Sequence, residues 1–225
     1  MNPLDYLRLQ LRLEGKEIIS QNLLRQVEVV PDEEVPLMLI AQLADQNLVY
    51  YFDEDLQIEL REESTKRISE ITFPNIDALA TLLQSRNIPF EIGYYKTYIF
   101  PKQYASFKDE TVNCYSKHDP KTQDFGFDGL AEQVYAMEQA GKIVSACVST
   151  RENELCGEAW VYTDPEYGHQ GFAQKVVSAW AISLISARKV PFYSHKIQNI
   201  ASANLAKRLG LESVFEEIVI SYTNP

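Results

Sequence analysis

Cysteine is scarce in this chain of 225 residues, and its three positions lie far apart in the sequence. Cys114, Cys147 and Cys156 form no Cys-x-x-Cys pair, so the chain lacks the spacing that is typical of a zinc site. Three cysteines are also too few for the disulfide framework of a small secreted domain. We therefore predict small buried thiols, no metal site and a reducing, cytoplasmic compartment.

Long apolar runs and an excess of positive charge are missing as well. No run of about 18 apolar residues occurs, and charges interrupt the N-terminal segment, so the sequence predicts neither a membrane span nor a secretory signal. The net charge is −11, and residues 1–100 contribute 9 − 17 = −8 of it. Such a segment would repel nucleic-acid phosphates, which argues against nucleic acid as a partner. The charge is compatible with a cationic substrate, and solubility explains it equally well.

The patterns that are present indicate an α/β protein built on a mixed sheet. Residues 1–46 are predicted to be helical, residues 47–61 a β-hairpin, residues 75–86 a helix and residues 89–100 a strand. The polar segment 117–129 is predicted to be a loop, either a plain surface connection or a loop that contacts a substrate. The second half then follows the order strand–strand–strand–helix–strand–helix–strand, which defines an α/β sandwich. Its predicted elements are strands 132–138, 143–149, 156–163, 191–194 and 214–222 and helices 171–187 and 200–209.

A turn with two glycines between strand 156–163 and the next helix is the feature most directly tied to chemistry. In the segment YGHQGFA, residues 167–173, Gly168 and Gly171 allow a tight turn and a close approach of the backbone to a ligand. The N–H groups at the helix start have no intrahelical partner, and the helix dipole adds positive potential, which suits a pyrophosphate. The segment fits neither G-x-G-x-x-G nor a P-loop, and a purely structural role for the glycines is the alternative.

The segment VYTDPEYGHQGFA, residues 161–173, resembles the signature of the GNAT superfamily of N-acetyltransferases. In that family a strand ends in an apolar-x-Val/Thr-x-Pro-x-Tyr/Phe run. An Arg/Gln-x-x-Gly-x-Gly/Ala loop then opens the helix that binds the coenzyme A pyrophosphate. Gly171 and Ala173 match the last two loop positions, whereas the first falls on Gly168, which removes a side-chain contact but keeps the backbone groups. The resemblance implies these cofactor-binding residues: Val161, Tyr162, Thr163, Gly168, His169, Gln170, Gly171, Phe172 and Ala173.

A second segment, NIASANLAKRLGL at residues 199–211, resembles the next helix of the family, Asn-x-x-Ala/Ser-x-x-Leu-x-x-x-Leu-Gly-Phe/Leu. The resemblance adds Asn199 and Ser202 to the cofactor contacts, and Asn199 is equally a helix N-cap residue. The likeness covers more than half of the chain and extends to a bacterial branch that carries an extra N-terminal domain. We therefore predict a smaller α+β accessory domain over residues 1–92 and a GNAT-like, acetyl-CoA-binding transferase domain over residues 93–225.

Two catalytic positions of relatives differ in this sequence. Many relatives carry a catalytic Tyr where this chain has Ala206, and ribosomal-protein acetyltransferases carry a Glu where it has Ser194. The oxyanion donor that the resemblance implies is a backbone N–H within residues 161–163. The residues that deprotonate the amine and protonate the thiolate must therefore come from elsewhere.

Three side chains near the turn are candidates for these proton transfers. Glu158 is the candidate base, with a solvent-facing or salt-bridged carboxylate as the alternative interpretation. Tyr193 is the candidate acid, and a core aromatic residue with a satisfied hydroxyl is its alternative. His195 is the candidate proton relay, and a surface or capping histidine is its alternative.

The resemblance implies an N-acetyltransferase that moves an acetyl or other acyl group from acetyl-CoA, its co-substrate, to a primary amine. The acceptor is a small molecule or a peptide, transfer is direct in a ternary complex, and no covalent enzyme intermediate is needed. The expected partners include neither nucleic acid nor a membrane, and a homodimer is one alternative for the oligomeric state. A catalytically inactive CoA-binding or regulatory module of the same fold is the second hypothesis, and an unrelated α/β protein is the third.

Overall fold

The chain forms two compact units in a computed structural model, which describes residues 1–30, 34–101, 104, 110–123 and 132–223. The first unit contains Met1–Lys96, Lys196–Gln198 and Val214–Pro225, and the second contains Thr97–His195 and Asn199–Ser213. The predicted domains, 1–92 and 93–225, stay a prediction. The compact units differ from them chiefly because the last strand of the chain pairs within the first unit.

The helices and strands follow one another along the chain without repeats. They are α1 (Pro3–Leu13), β1 (Lys16–Ser20), β2 (Leu23–Gln26), β3 (Met38–Leu43), β4 (Leu48–Asp53), α2 (Ile58–Ile68), α3 (Asp77–Ser85), β5 (Phe90–Ile99), β6 (Asn113–Ser116), α4 (Pro120–Gln123), β7 (Gln133–Gln139), β8 (Lys142–Glu152), β9 (Cys156–Thr163), α5 (Phe172–Ser186), β10 (Val190–Lys196), α6 (Ile200–Leu209) and β11 (Glu212–Tyr222).

The first unit is a mixed sheet with the strand order β1-β2-β4-β3-β11-β5. β2 and β4 are parallel, whereas β3 is antiparallel to both β4 and β11. Its core packs α2 and α3 against the sheet through residues such as Leu60, Leu79 and Ile218. α1 begins at a capping box, because the side chains of Asn2 and Asp5 each accept the other's backbone N–H at 2.9 and 3.0 Å.

Two predictions for the first unit are wrong. The helical prediction for residues 1–46 holds only for α1, because β1, β2 and β3 are strands. β3, where a second helix was expected, lies between two strands and is buried on both faces, so its apolar run has no strand alternation. The hairpin expected over residues 47–61 has only its first strand, β4, because α2 begins at Ile58. In α2 the buried residues Leu60, Ser64 and Ile68 recur every four positions, which is helical spacing. The helix within 75–86 and the strand within 89–100 are confirmed.

The second unit follows the predicted order of elements closely. Its strands lie in the order β10-β9-β8-β7-β6, with the end of β5 beside β10. β9 and β10 are parallel and the other pairs within this series are antiparallel, so the predicted mixed sheet is confirmed. α5 packs on the sheet through Val176, Val177, Trp180 and Leu184. Within the predicted loop 117–129, Pro120–Gln123 form the short helix α4, and residues 124–129 lie outside the described residues.

The parallel pair β9–β10 separates partway along its length. The two strands pair only at Cys156 with Val190, Gly157 with Pro191 and Glu158 with Phe192, although both strands continue beyond these positions. On its other side β9 stays paired with β8 as far as Thr163. The edge of β9 from residue 159 onward is therefore not covered by β10.

Candidate functional site

The turn between β9 and α5 is held by its own short-range hydrogen bonds. The Asp164 carboxylate accepts the Glu166 N–H at 2.9 Å, and Gly168 donates its N–H to the Pro165 carbonyl at 3.2 Å. A 3-10 turn over Pro165–Tyr167 follows from these contacts. The Gly168 N–H is thus used within the turn, and a β-carbon added at Gly168 would lie only 3.2 Å from the Pro165 carbonyl oxygen, a tight contact.

Gly171 ends this turn in a left-handed conformation. Its φ is +80°, and a β-carbon added there would meet no atom within 4 Å. The space above Gly171 is therefore open, and the glycine is required by its backbone angle and not by crowding from the protein. His169 also has a positive φ of 62°, so the backbone reverses direction twice just before α5.

The N–H groups of residues 169–174 form the backbone cradle at the start of α5. No acceptor lies within hydrogen-bond reach of them in the part of the chain that the structure describes, and the first intrahelical bond runs from the Lys175 N–H to the Gly171 carbonyl. Gly171 is the N-cap and has no side chain to cap them. Unpartnered N–H groups at the positive end of a 15-residue helix are suited to binding an anion.

The uncovered edge of β9 adds two further donors. The Asp164 N–H bonds to the Val144 carbonyl of β8 at 2.9 Å. Because N–H groups alternate in direction along an antiparallel strand, those of Val161 and Thr163 point away from β8, toward the edge where β10 is no longer paired. The Thr163 hydroxyl is occupied, since it bonds to the Ser145 hydroxyl at 2.7 Å.

α6 begins on the residues that the second motif predicts. Asn199 is its N-cap, and the Asn199 side chain accepts the Ser202 N–H at 3.1 Å. Gly210 closes the helix with a φ of +65°, in the left-handed conformation that such a C-terminal position requires. Near its end, the Arg208 carbonyl accepts a hydrogen bond from the Gln174 side chain at 3.1 Å, which ties α6 to the first turn of α5. Both helix boundaries are therefore as predicted.

Glu158 is a buried carboxylate in an ion pair. It is 4% exposed, and its Oε2 accepts hydrogen bonds from Nε of Arg151, at 3.0 Å, and from Nη2 of the same guanidinium. A register shift in β8 between Ser149 and Arg151 places Arg151 opposite Glu158. The solvent-facing interpretation of Glu158 is wrong, whereas its salt-bridged interpretation describes the structure. The sequence analysis missed Arg151, because a strand bulge leaves no clear mark in a single sequence.

Tyr193 is a buried tyrosine that lies among the residues packed against α5. It is 2% exposed, and its Oη makes no hydrogen bond that meets distance and angle limits among the described residues. Burial raises the pKa of Tyr193 to about 12, and the nearby Ser202 partly opposes this rise. Tyr193 therefore holds its proton at neutral pH. The alternative interpretation, a core tyrosine whose hydroxyl is hydrogen-bonded, does not match the described residues, since none of them is a hydrogen-bond partner of the hydroxyl.

His195 is buried beside two tyrosine rings. It stacks on Tyr98 with ring centroids 5.6 Å apart and meets the edge of Tyr193 at 6.3 Å. The alternative interpretation as a surface histidine is therefore wrong. Ala206, at the position where many relatives carry a tyrosine, is buried in the same cluster as Tyr193.

The three candidate catalytic side chains lie on opposite faces of the sheet. Ala159 and Val161 pack toward α5, which defines the helix face. Because side chains alternate along a strand, Glu158 lies on the opposite side, here called the far face. Tyr193 packs with the α5 residues on the helix face, whereas its neighbour Phe192 pairs with Glu158. The structure thus brings Tyr193 and His195 together and separates both from Glu158 by the sheet.

Nucleophilic catalysis by a cysteine and metal binding are the next possibilities. Burial raises the pKa of the Cys147 thiol well above its ordinary value, so Cys147 is not a thiolate nucleophile. Within the described ranges, no cluster of three or more His, Cys, Asp or Glu residues could hold a metal ion. Nor does any helix in the described part of the chain have both the length and the apolar character to cross a membrane.

A strand that parts from its parallel neighbour, followed by a helix with an open N-terminus, is an α/β arrangement with backbone donors that could bind an anion. Residues 122–219 match the GNAT acetyltransferase family. The predicted resemblance to the GNAT superfamily is confirmed over this segment of the chain. No curated protein matches the chain in sequence.

Solved structures of GNAT-family proteins share the fold. An acetyltransferase of this family from Colwellia psychrerythraea is similar, with a TM-score of 0.51 and 14% identity, over 87% of this chain and 84% of that chain. A GNAT-family protein from Novosphingobium aromaticivorans is similar with a TM-score of 0.50 and 16% identity, over 60% of this chain and 66% of that chain. At these identities the likeness extends to the fold alone.

Proposed function

We propose that this protein is an N-acyltransferase that uses acetyl-CoA as co-substrate and a primary amine as acceptor. The observation that carries the proposal is the backbone cradle of residues 169–174, whose N–H groups lack acceptors among the described residues. The match to the GNAT acetyltransferase family supports acyl transfer as the general class of reaction. The amine acceptor and the acetyl group are the parts that the experiments below test.

The residues around the cradle fit a diphosphate-bearing cofactor. The open space above Gly171 admits a phosphate, since no protein atom lies within 4 Å of an added β-carbon. A pyrophosphate would accept hydrogen bonds from the helix-start N–H groups, which need an acceptor and carry the positive end of the helix dipole. Acetyl-CoA bound there would supply the acyl group as a thioester. Asn199 and Ser202 are proposed to flank it from the start of α6.

The uncovered edge of β9 is suited to the acyl group. The N–H groups of Val161 and Thr163 point to the edge where β10 is unpaired, so they can donate to an oxygen that gains negative charge. Fixed backbone donors of this kind stabilise such an oxygen by about 3 kcal/mol each in a water-poor site. In the overall reaction a C–N bond forms, the C–S bond breaks, the amine loses a proton and the thiolate gains one.

We assign the two proton transfers to opposite faces of the sheet. Tyr193 is proposed to donate the proton to the departing sulfur, because burial keeps the Tyr193 hydroxyl protonated and no described residue accepts its hydrogen bond. His195, whose ring contacts Tyr193, is proposed to return that proton. Glu158, on the far face, is proposed to accept the proton of the amine, with Arg151 holding the carboxylate in place.

The inactive alternative rests on a specific observation. Oε2 of Glu158 already accepts two hydrogen bonds from Arg151, as a purely structural carboxylate would. Under this alternative the protein binds CoA species without turnover. Turnover of any amine by the wild-type protein rules this alternative out, and a Glu158→Gln variant of an active preparation then tests whether Glu158 is the base, since a base is required for turnover and a structural carboxylate is not.

The first test is thermal unfolding with acetyl-CoA, with free CoA and with AMP as a control ligand. A ligand that binds only the folded state raises the unfolding midpoint, so both CoA species are expected to raise it. Release of the CoA thiol is then followed with a panel of primary amines. A rise without amine-dependent thiol release favours the inactive module. No rise with either CoA species would overturn the cofactor assignment.

A further inference from the structure

Two exposed aromatic side chains stand on the far face of β9. Trp160 is 38% exposed and Tyr162 is 43% exposed, and they are the only aromatic residues among the exposed large apolar side chains that the structure describes in the second unit. Their rings are nearly parallel, at 14°, with centroids 6.3 Å apart. The residues opposite them on β8 are the smaller Val148 and Ala146.

The position of this aromatic pair relates it to the proposed reaction. Trp160 and Tyr162 follow Glu158 on the same face of the strand, two and four residues further along. Their strand carries the Val161 and Thr163 N–H groups on its uncovered edge. The helix face at this position is filled by α5 and its apolar cluster. An amine that reaches this edge from the far face passes the two rings.

In the part of the chain that the structure describes, two carboxylates on this face are compensated by protein cations. Glu158 is neutralised by Arg151, and Glu138, further along the sheet on the same face, is paired with Lys121 at 3.0 Å. A polycationic acceptor needs carboxylates that are not already compensated by a protein cation. A flat ring instead gains from stacking and from burial of apolar area, both of which the exposed Trp160 and Tyr162 offer.

We infer that the acceptor is an arylalkylamine, a primary amine on a short chain that carries an aromatic ring. The ring lies against Trp160 and Tyr162 and the amino group reaches Glu158. This inference rests on the proposed function and adds the class of acceptor to it.

The test compares three amines in the CoA-release assay: 2-phenylethylamine, its saturated analogue 2-cyclohexylethylamine, and spermidine. We expect the wild-type protein to have its highest kcat/KM with 2-phenylethylamine. The Trp160→Ala variant should raise the KM for this amine about tenfold, the size of one lost stacking contact together with part of its buried area. Trp160→Phe, which keeps a ring, should restore most of the affinity.

Leu155→Ala is the matched control, because it also truncates an exposed apolar side chain of this unit but at the start of β9, away from the rings. Leu155→Ala should leave the KM for 2-phenylethylamine unchanged. Trp160→Ala, Trp160→Phe and Leu155→Ala should all keep the rise in unfolding midpoint that free CoA causes. A preference for spermidine, or an equal effect of Trp160→Ala on the aromatic and saturated amines, overturns the inference while the proposed function stands. Binding of CoA without turnover of any amine contradicts the proposed function. In that case calorimetry measures the binding of 2-phenylethylamine directly, and a lack of binding overturns the inference.

Discussion

The backbone cradle can be tested with a pair of alanine substitutions that carry the same backbone strain. Gly171 and Gly141 both have a φ of +80°, and a β-carbon at either position meets no atom within 4 Å. Gly171 lies at the start of α5, whereas Gly141 lies in the turn between β7 and β8. Any difference in ligand binding between Gly171→Ala and Gly141→Ala therefore reports on the space above the cradle and not on the strain.

The expected stability changes of the two variants are equal. Holding alanine in the left-handed region costs about 1–2 kcal/mol. For a chain of this size, each kcal/mol lowers the unfolding midpoint by about 2–4 °C. Without ligand, Gly171→Ala and Gly141→Ala should both unfold a few degrees below the wild-type protein. Circular dichroism at the α-helical band measures both midpoints.

The expected ligand responses of the two variants differ. A methyl group at Gly171 occupies the space that a pyrophosphate needs, so Gly171→Ala should bind CoA at least about tenfold more weakly, a loss of about 1.4 kcal/mol. At a fixed, saturating CoA concentration this loss removes about 3–6 °C from the ligand-induced rise in midpoint. Gly141→Ala should keep the full wild-type rise. Equal rises in the two variants would refute the assignment of the cradle as the pyrophosphate site.

Three further substitutions test the packing around the site. Arg151→Met leaves Glu158 buried without its cation, so urea unfolding should show a loss of about 3 kcal/mol, and adding Glu158→Met should recover most of it because both charges are then gone. Tyr193→Phe tests stability at alkaline pH. The pKa of Tyr193 is about 12 in the folded protein and near 10 in the unfolded chain. Tyr193 therefore stabilises the fold at neutral pH, and this contribution is lost as the pH rises from 10 to 12. The variant should therefore lose about 1.4 kcal/mol less than the wild type between pH 9 and pH 11, and an equal loss in both proteins would contradict the buried hydroxyl. Asn199→Ala removes the N-cap of α6 and should cost about 1 kcal/mol, whereas Asn199→Asp should not.

The second unit is predictable from sequence because its signals are local. The apolar stripe of α5 repeats at helical spacing, the glycine turn stops β9, and Asn199 and Gly210 mark the two ends of α6. The first unit is harder, because β3 is buried on both faces. Its four consecutive buried residues, 38–41, fit a buried helix as well as a central strand, and only the pairing with β4 and β11 decides between them.

The candidate site also has a part that is predictable from the sequence and a part that is not. The backbone cradle follows from a sequence motif, since glycine positions and a helix start determine where N–H groups are exposed. The grouping of side chains does not, because it depends on register. The sequence indicates that Glu158 and Tyr193 are on neighbouring strands, yet only the pairing of Glu158 with Phe192 shows that they lie on opposite faces. A one-residue shift in that register would place both on one face.

The last paired position of β9 and β10 explains how opposite faces can serve one reaction. Beyond Glu158 and Phe192 the two strands are no longer paired, so a group held at the edge of β9 can face residues on both sides of the sheet. The Glu158 carboxylate stands at this point on the far face, and Tyr193, one residue after Phe192, stands at it on the helix face. Proton removal from the amine and proton donation to the sulfur can then proceed on separate sides. A site closed by continuous pairing of the two strands would not permit this arrangement.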